Sequence, residues 1–439
     1  MSDHGLEHPL GGGVGWSAMP LRSVRELSTG RYLAACVAVA AVAAAGVAFA
    51  GSSLPRITPD SASYLTGAEM LADDGRFASC DGPIAVFAPG YSAAMAPLVA
   101  LGADAPDAAR IVNALATLAI VLAAATLAGS AGLSRRTCLL VAIAVAVAYA
   151  TLRDGALAWS EPLFCALLGA TLVAVVGDGR GLPLRLIPRL VAAVALVWAL
   201  LLTRHSGVFV VPALVAGAWL GSGAVPRRLP KAAAFTLALL AVPALWWARN
   251  VHVAGDAFGR RSGSRFGALE ILGQLPDGLS SVGLPTAVPE VLRLAVLAPV
   301  VLAAALAVPR SRGVGGTRLT VSVLALAAVV YGGAVTLAAT QTVVDPIDTR
   351  LMSPLLVPVA VLVAVGVAGP VSRWPRLERG LGGFALALVA ATALLAPGVV
   401  WRGHQAERTL ATIPDDVSCA EWPARYSGGA AIGLARHRG

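Results

Sequence analysis

The chain is 439 residues long, 57% hydrophobic and only 13% charged, with a mean hydropathy of +0.77, whereas soluble domains carry roughly 25% charged residues. That balance excludes a soluble globular protein and reads as an integral membrane protein. The net charge of +9 does not point to nucleic acid, because no nucleic-acid-binding signature occurs and the arginines stand as short clusters between apolar runs.

Residues 1–31 are polar and glycine-rich and read as a cytoplasmic N-terminal segment. The run that follows is longer than a signal-peptide core and lacks a cleavage site, so it reads as a retained anchor. Stretches of about 20 apolar residues are read as helices, because backbone groups facing lipid must bond within their own segment. Spans are expected near 32–51, 107–129, 137–152, 161–177, 187–203, 206–221, 231–249, 291–308, 317–338, 352–371 and 381–401. The fold class is therefore an all-α polytopic membrane protein of about 11 transmembrane helices, with domain bounds at 32–401 and a short tail at 402–439.

Two stretches need separate readings. The apolar run 190–220 is broken only by "TRHSG" at 203–207, which predicts two spans joined by a tight turn, with Arg204 and His205 at a membrane surface. The stretch 83–105 is interrupted by Pro83, Pro89, Gly90 and Pro97 and is read as interfacial or re-entrant, so that the long first outer loop, 52–106, carries interfacial helices.

Short basic loops stay cytoplasmic. With the N-terminus inside, the inner loops hold Arg135 and Arg136, then Arg180, Arg185 and Arg189, then Arg227, Arg228 and Lys231, then Arg310, Arg312 and Arg318, then Arg373, Arg376 and Arg379. Nearly all acids then fall on the outer face, together with Arg153, Arg204, Arg249, Arg260, Arg261, Arg265 and Arg350. Carboxylates beside arginines at one membrane face suit an anionic, lipid-borne substrate: guanidinium groups bind phosphate bidentately, and a carboxylate takes a proton from a hydroxyl.

The leading stretch is "ITPDSASYLTGAEMLADD" at 57–74. Asp60, after Pro59, is either the cap of a helix at 61–73 or a catalytic base; Tyr64 lies one turn further on the same face. Glu161 opens a span, where a negative charge is favourable in any case, and Asp154 competes with it as second acid. Arg110, Arg204, Arg249 and Arg350 sit at span ends, where an arginine either snorkels to headgroups or binds substrate.

In order and layout these fragments resemble the GT-C superfamily of membrane glycosyltransferases, which includes the protein O-mannosyltransferases and the lipid A aminoarabinose transferases. An acid and a tyrosine open the family's first outer loop, matched by Asp60 and Tyr64. "FAPGYSAAMAPL" at 87–98, with Tyr91, loosely matches an aromatic-Pro-x-Tyr segment. Arg110 in "AARIVNAL" fits an arginine at the second span, and "SEPLF" at 160–164 an acidic entry to the fourth. "LLTRHSGVFVVPAL", "WWARN" and "DTRLMSPLLVPVAVL" follow in order. Two departures stand out. Asp60 is flanked by Pro59 and Ser61 where the family often shows paired acids, and no large soluble domain follows the last span.

The resemblance implies transfer of a sugar from a polyprenyl-phosphate donor to an extracytoplasmic glycan, lipid or protein acceptor, at the plasma (inner) membrane. It assigns catalysis to Asp60 with Glu161 or Asp154. Donor phosphate falls to Arg110, Arg204, Arg249 and Arg350, and substrate contact to Tyr64, Tyr91 and His205; the Gly- and Arg-rich "GRRSGSRFG" at 259–267, with Arg260 and Arg261, is by its own residues either a grip on phosphate or pyrophosphate or a mobile loop contacting anionic lipid headgroups. The rival expectation is a transporter or flippase for a lipid-linked or anionic solute, which would place its working charges near the bilayer midplane. His205 and His252 lack partners at metal-ligand spacing, so no protein metal cage is expected; a divalent cation (Mg or Mn) at Glu161 or Asp154 stays open. Cys80 and Cys419 both fall in outer segments, the oxidising side, which suggests a disulfide.

Overall fold

The computed structural model describes residues 27–50, 58–79, 82–176, 186–221, 229–259, 263–311, 315–342 and 346–371. The expected span at 381–401, the tail, Cys80, Cys419, Arg260 and Arg261 lie outside the described residues.

The first span is α1 (Thr29–Ala50). The outer loop folds into α2 (Pro59–Asp74), a two-stranded hairpin of β1 (Ala78–Ser79) and β2 (Gly82–Pro83), and α3 (Gly90–Ala100). With 11 residues, α3 reaches about 16 Å at 1.5 Å per residue, about half of a ~30 Å hydrocarbon core, so this stretch does not cross. Then come α4 (Ala105–Ser130), α5 (Arg135–Val147), α6 (Tyr149–Gly155), α7 (Glu161–Val176), α8 (Leu186–Thr203), α9 (Val211–Gly221) and α10 (Leu229–Ala254). They are followed by α11 (Ala268–Ser281), α12 (Glu290–Arg310), α13 (Gly315–Gln341), α14 (Thr349–Met352) and α15 (Leu356–Val371).

Each expected span between 32 and 371 falls on helix, but not all reach full length. Six helices among the described residues are long and apolar enough to cross a membrane, or seven if α5 and α6, bent by 45°, form one broken span. Among the described residues α7, α8 and the helical stretch from His205 are shorter; Glu161 stands at the start of the first and Arg204 at the break between the other two. The expected tight turn at 203–207 is instead the start of a 3₁₀ helix, His205–Val210, that leads into α9. α11 lies in what the sequence presents as loop, since Gly273, Pro276 and Gly278 mask a helical pattern.

Side-chain bonds sort the helix ends into two faces. Arg135 donates to Leu27 O at 2.7 Å and Thr29 Oγ1 at 2.8 Å, and Thr320 donates to Ser130 O at 3.2 Å. The starts of α1, α5 and α13 and the end of α4 therefore share a face, with Arg135, Arg136 and Arg318. α2 and α3 pack at the opposite end, on the start of α4. Two apolar clusters follow: a large one between the spans, and a smaller one in which Tyr64, Leu65, Tyr91, Met95 and Val112 join α2 and α3 to α4.

Candidate active site

Local chemistry fixes how α2 presents its acid. Thr58, not Asp60, is the N-cap: its hydroxyl accepts the Ser61 N–H at 3.2 Å. Pro59 occupies the first helical position, where its fixed φ suits the helix and its missing N–H costs nothing. Asp60 thus stands in the first turn with its carboxylate free for other work. Gly75, at φ 67°, ends the helix by donating to Leu71 O at 3.2 Å, a left-handed cap that glycine adopts without a Cβ clash.

Asp60 Oδ2 lies 2.5 Å from Arg350 Nη2. Arg350 is held by its own short helix, whose cap is Asp348; Asp348 Oδ1 accepts the N–H groups of Arg350 at 3.0 Å and Leu351 at 3.3 Å. The Arg350 Nε also donates to Glu161 Oε1, and the same oxygen receives Arg204 Nη1. Glu161 is the first residue of α7 and is fully buried. Arg204 directly follows α8, beneath α3. Gly90 permits this close approach, since a Cβ there would meet Leu202 O at 2.7 Å.

Four elements distant in sequence thereby bring together Asp60, Glu161, Arg204 and Arg350. A buried carboxylate needs paired, hydrogen-bonding cations to stay charged, and the two guanidinium groups supply them. Arg204 is largely enclosed by protein, with 15% of its side chain exposed. Asp60, at 28%, is the most open member.

Tyr64 joins the cluster's edge. Its hydroxyl pairs with Ser160 Oγ at 3.0 Å, Arg204 Nη1 donates to that same Oγ at 3.2 Å, and its ring packs edge-on against Tyr91 at 5.3 Å. Burial pushes the Tyr64 phenol up to about 12, with Arg204 opposing, so it acts as a neutral hydrogen-bond partner. Asp154 is buried beneath, 3.7 Å from Arg153 Nη1. It shares with Glu161 a cavity of about 20 Å³, room for one water.

Other expected site residues lie elsewhere. Arg249 donates to Ile84 O at 2.8 Å and Phe77 O at 3.2 Å and stacks 4.7 Å over Trp246, clasping the hairpin of the first loop to α10. Arg110 pairs with Asp107 at 3.1 Å on its own helix. Tyr91 is fully buried and donates to Asn113 at 3.1 Å. His205 packs edge-on against Phe258 at 5.4 Å.

Sequence reading missed Thr58, Asn113, Trp159, Ser160 and Asp348. Asn113 was the most visible of them, as a lone amide inside an apolar helix is costly without partners. It donates to Gly155 O at 3.2 Å and Leu157 O at 2.5 Å. Among the described residues no group of three or more His, Cys, Asp or Glu side chains could hold a metal ion.

No family model matches the chain, and no curated protein matches it. Solved structures do. ArnT from Cupriavidus metallidurans bound to undecaprenyl phosphate superposes with a TM-score of 0.55 at 15% identity, over 94% of this chain and 73% of that one. The chain shares the fold of this structure. ArnT in the apo state matches with a TM-score of 0.51 at 16% identity, over 93% and 72%. The apo oligosaccharyltransferase of Archaeoglobus fulgidus gives 0.52 at 13%, over 89% of this chain and 57% of its own length. The long apolar helices and this shared fold are those of a multi-pass membrane protein.

Proposed function

We propose that the protein is a glycosyltransferase that moves a sugar from a polyprenyl-phosphate donor to an acceptor hydroxyl on the extracytoplasmic side of the plasma (inner) membrane. The observation that carries this reading is the convergence of Asp60, Arg350, Glu161 and Arg204 beneath the first-loop helices. The fold shared with ArnT, solved with undecaprenyl phosphate, supports the donor class.

Asp60 is the general base. It takes the proton of the acceptor hydroxyl as that oxygen attacks the anomeric carbon; the bond from that carbon to the phosphate oxygen breaks, and the lipid phosphate leaves with the electron pair. A single displacement inverts the sugar. Arg204 and Arg350 stabilise the charge developing on the leaving phosphate, and Glu161, bound to both, keeps their guanidinium groups aimed together. Asp154 orients from below. Basic ends on the opposite face support an outward-facing site by the positive-inside rule.

A transporter or flippase would use charges midway along its spans. Here Asp60 and Arg350 each lie in the first turn of a helix, Glu161 opens one and Arg204 follows one, which favours chemistry at a helix-end surface. The test is incubation of purified protein with a panel of polyprenyl-phosphate sugars, reading loss of the sugar. Transport of an intact lipid-linked sugar without cleavage would support the rival.

A further inference from the structure

We propose that Trp159 is a positioning residue for the Asp60–Arg350 pair, locking together the two helix caps that present them. Trp159 is 6% exposed, so its ring does not offer a surface for a sugar; whatever it does for transfer it does through its neighbours.

Its contacts form a closed circuit. The indole Nε1 donates to Thr58 Oγ1 at 2.9 Å, the oxygen that also caps α2. Asp60 stands two residues further on and reaches Arg350 at 2.5 Å. The Arg350 guanidinium lies 4.6 Å from the centre of the Trp159 ring, which closes the loop. A second arm runs through Arg153, 5.1 Å from the same ring, whose Nη2 meets Asp348 Oδ2 at 3.5 Å. The other oxygen of Asp348 caps α14. One indole therefore touches the cap of the helix carrying the base and, through Arg153, the cap of the helix carrying the phosphate-binding arginine.

The chemistry requires tryptophan in particular. Tryptophan has the aromatic face that attracts cations most strongly and also an N–H to donate; phenylalanine keeps a weaker face and loses the donor. The one ring packs against two guanidinium groups at once, 4.6 Å from Arg350 and 5.1 Å from Arg153. The segment bearing Trp159 is itself fixed, because Asn113 holds the carbonyls of Gly155 and Leu157. Small misplacements of reacting groups are expensive in rate, so a device of this kind affects turnover more than binding.

The inference rests on the proposed transfer only for its activity arm. The experiment is hydrogen exchange of the full-length protein in nanodiscs, alongside turnover with a polyprenyl-phosphate sugar, for Trp159→Phe, Thr58→Val, Thr58→Ser and Asp60→Asn. Trp159→Phe should speed exchange about tenfold, the scale of one lost hydrogen bond, in both the first turn of α2 and α14, while α4 keeps its protection. Turnover should fall by about 10²-fold, more than KM for the donor rises. Thr58→Val uncaps α2 directly and removes the indole's acceptor, while Asp60→Asn weakens the direct Asp60–Arg350 link and leaves Thr58 in place; coupling through Trp159 is read as the acceleration in α14 that Thr58→Val shows beyond Asp60→Asn, and Thr58→Ser should restore slow exchange there. These variants decide the matter if Trp159→Phe does not fold. Unchanged exchange in α14, or equal acceleration in every helix, would overturn the proposal. If the unaltered protein transfers no sugar, the proposed function fails while the exchange data still judge Trp159.

Discussion

Arg204 and Arg350 bond the same oxygen of Glu161, although they come from the end of α8 and the start of α14. Removing that carboxylate leaves two guanidinium groups facing each other without their shared anion, Arg350 keeping Asp60 and Arg204 keeping the neutral Ser160 hydroxyl. Glu161→Ala should therefore cost about 3–5 kcal/mol. Thermal unfolding in detergent should show a large drop in Tm, and an unchanged Tm would mean that the cluster contributes little to holding the bundle's end.

Lysine carries the charge of arginine but not its planar fork. Arg204→Lys and Arg350→Lys should each weaken binding of free polyprenyl phosphate about tenfold, the difference between a bidentate contact and a point charge. Arg249→Lys serves as the contrast: its bonds to Ile84 and Phe77 fix the first loop, so it should lower Tm and leave that affinity near its original value. Titration calorimetry with the lipid phosphate in micelles separates the two behaviours.

Asn113 makes bonds to the Tyr91 hydroxyl and to two backbone carbonyls while 1% exposed. Asn113→Ala should destabilise by about 2–3 kcal/mol, since buried polar groups lose their partners. Asn113→Asp should be at least as harmful, because a carboxylate cannot donate to the carbonyls of Gly155 and Leu157. Denaturation of the two variants side by side checks the order.

The long apolar runs announce α1, α4, α10, α12, α13 and α15, because a spanning helix needs only continuous hydrophobicity. The breaks in shorter runs, at Glu161 and Arg204, turn out to be where the polar cluster sits. Asp60, Tyr64, Glu161, Arg204 and Arg350 are visible in the sequence as polar residues at the edges of apolar segments. Which of them meet is not visible, since contact depends on how α2, α7, α8 and α14 converge. Arg249 shows the ambiguity: it stands at a span end like Arg204, yet its guanidinium is used on backbone carbonyls. Thr58 was hidden for a different reason. Both Thr58 and Asp60 are good caps, and only the position of Pro59 relative to the first turn decides between them.

The most direct measurement compares the unaltered protein with Asp60→Asn on release of free polyprenyl phosphate from a panel of polyprenyl-phosphate sugars. Thr58 keeps the helix cap, so the variant should fold normally and bind the lipid phosphate, yet transfer more slowly by ~10²–10⁴-fold, the usual worth of a general base. An Asp60→Asn protein that releases the lipid phosphate at the unaltered rate would contradict the assignment of Asp60 as the base.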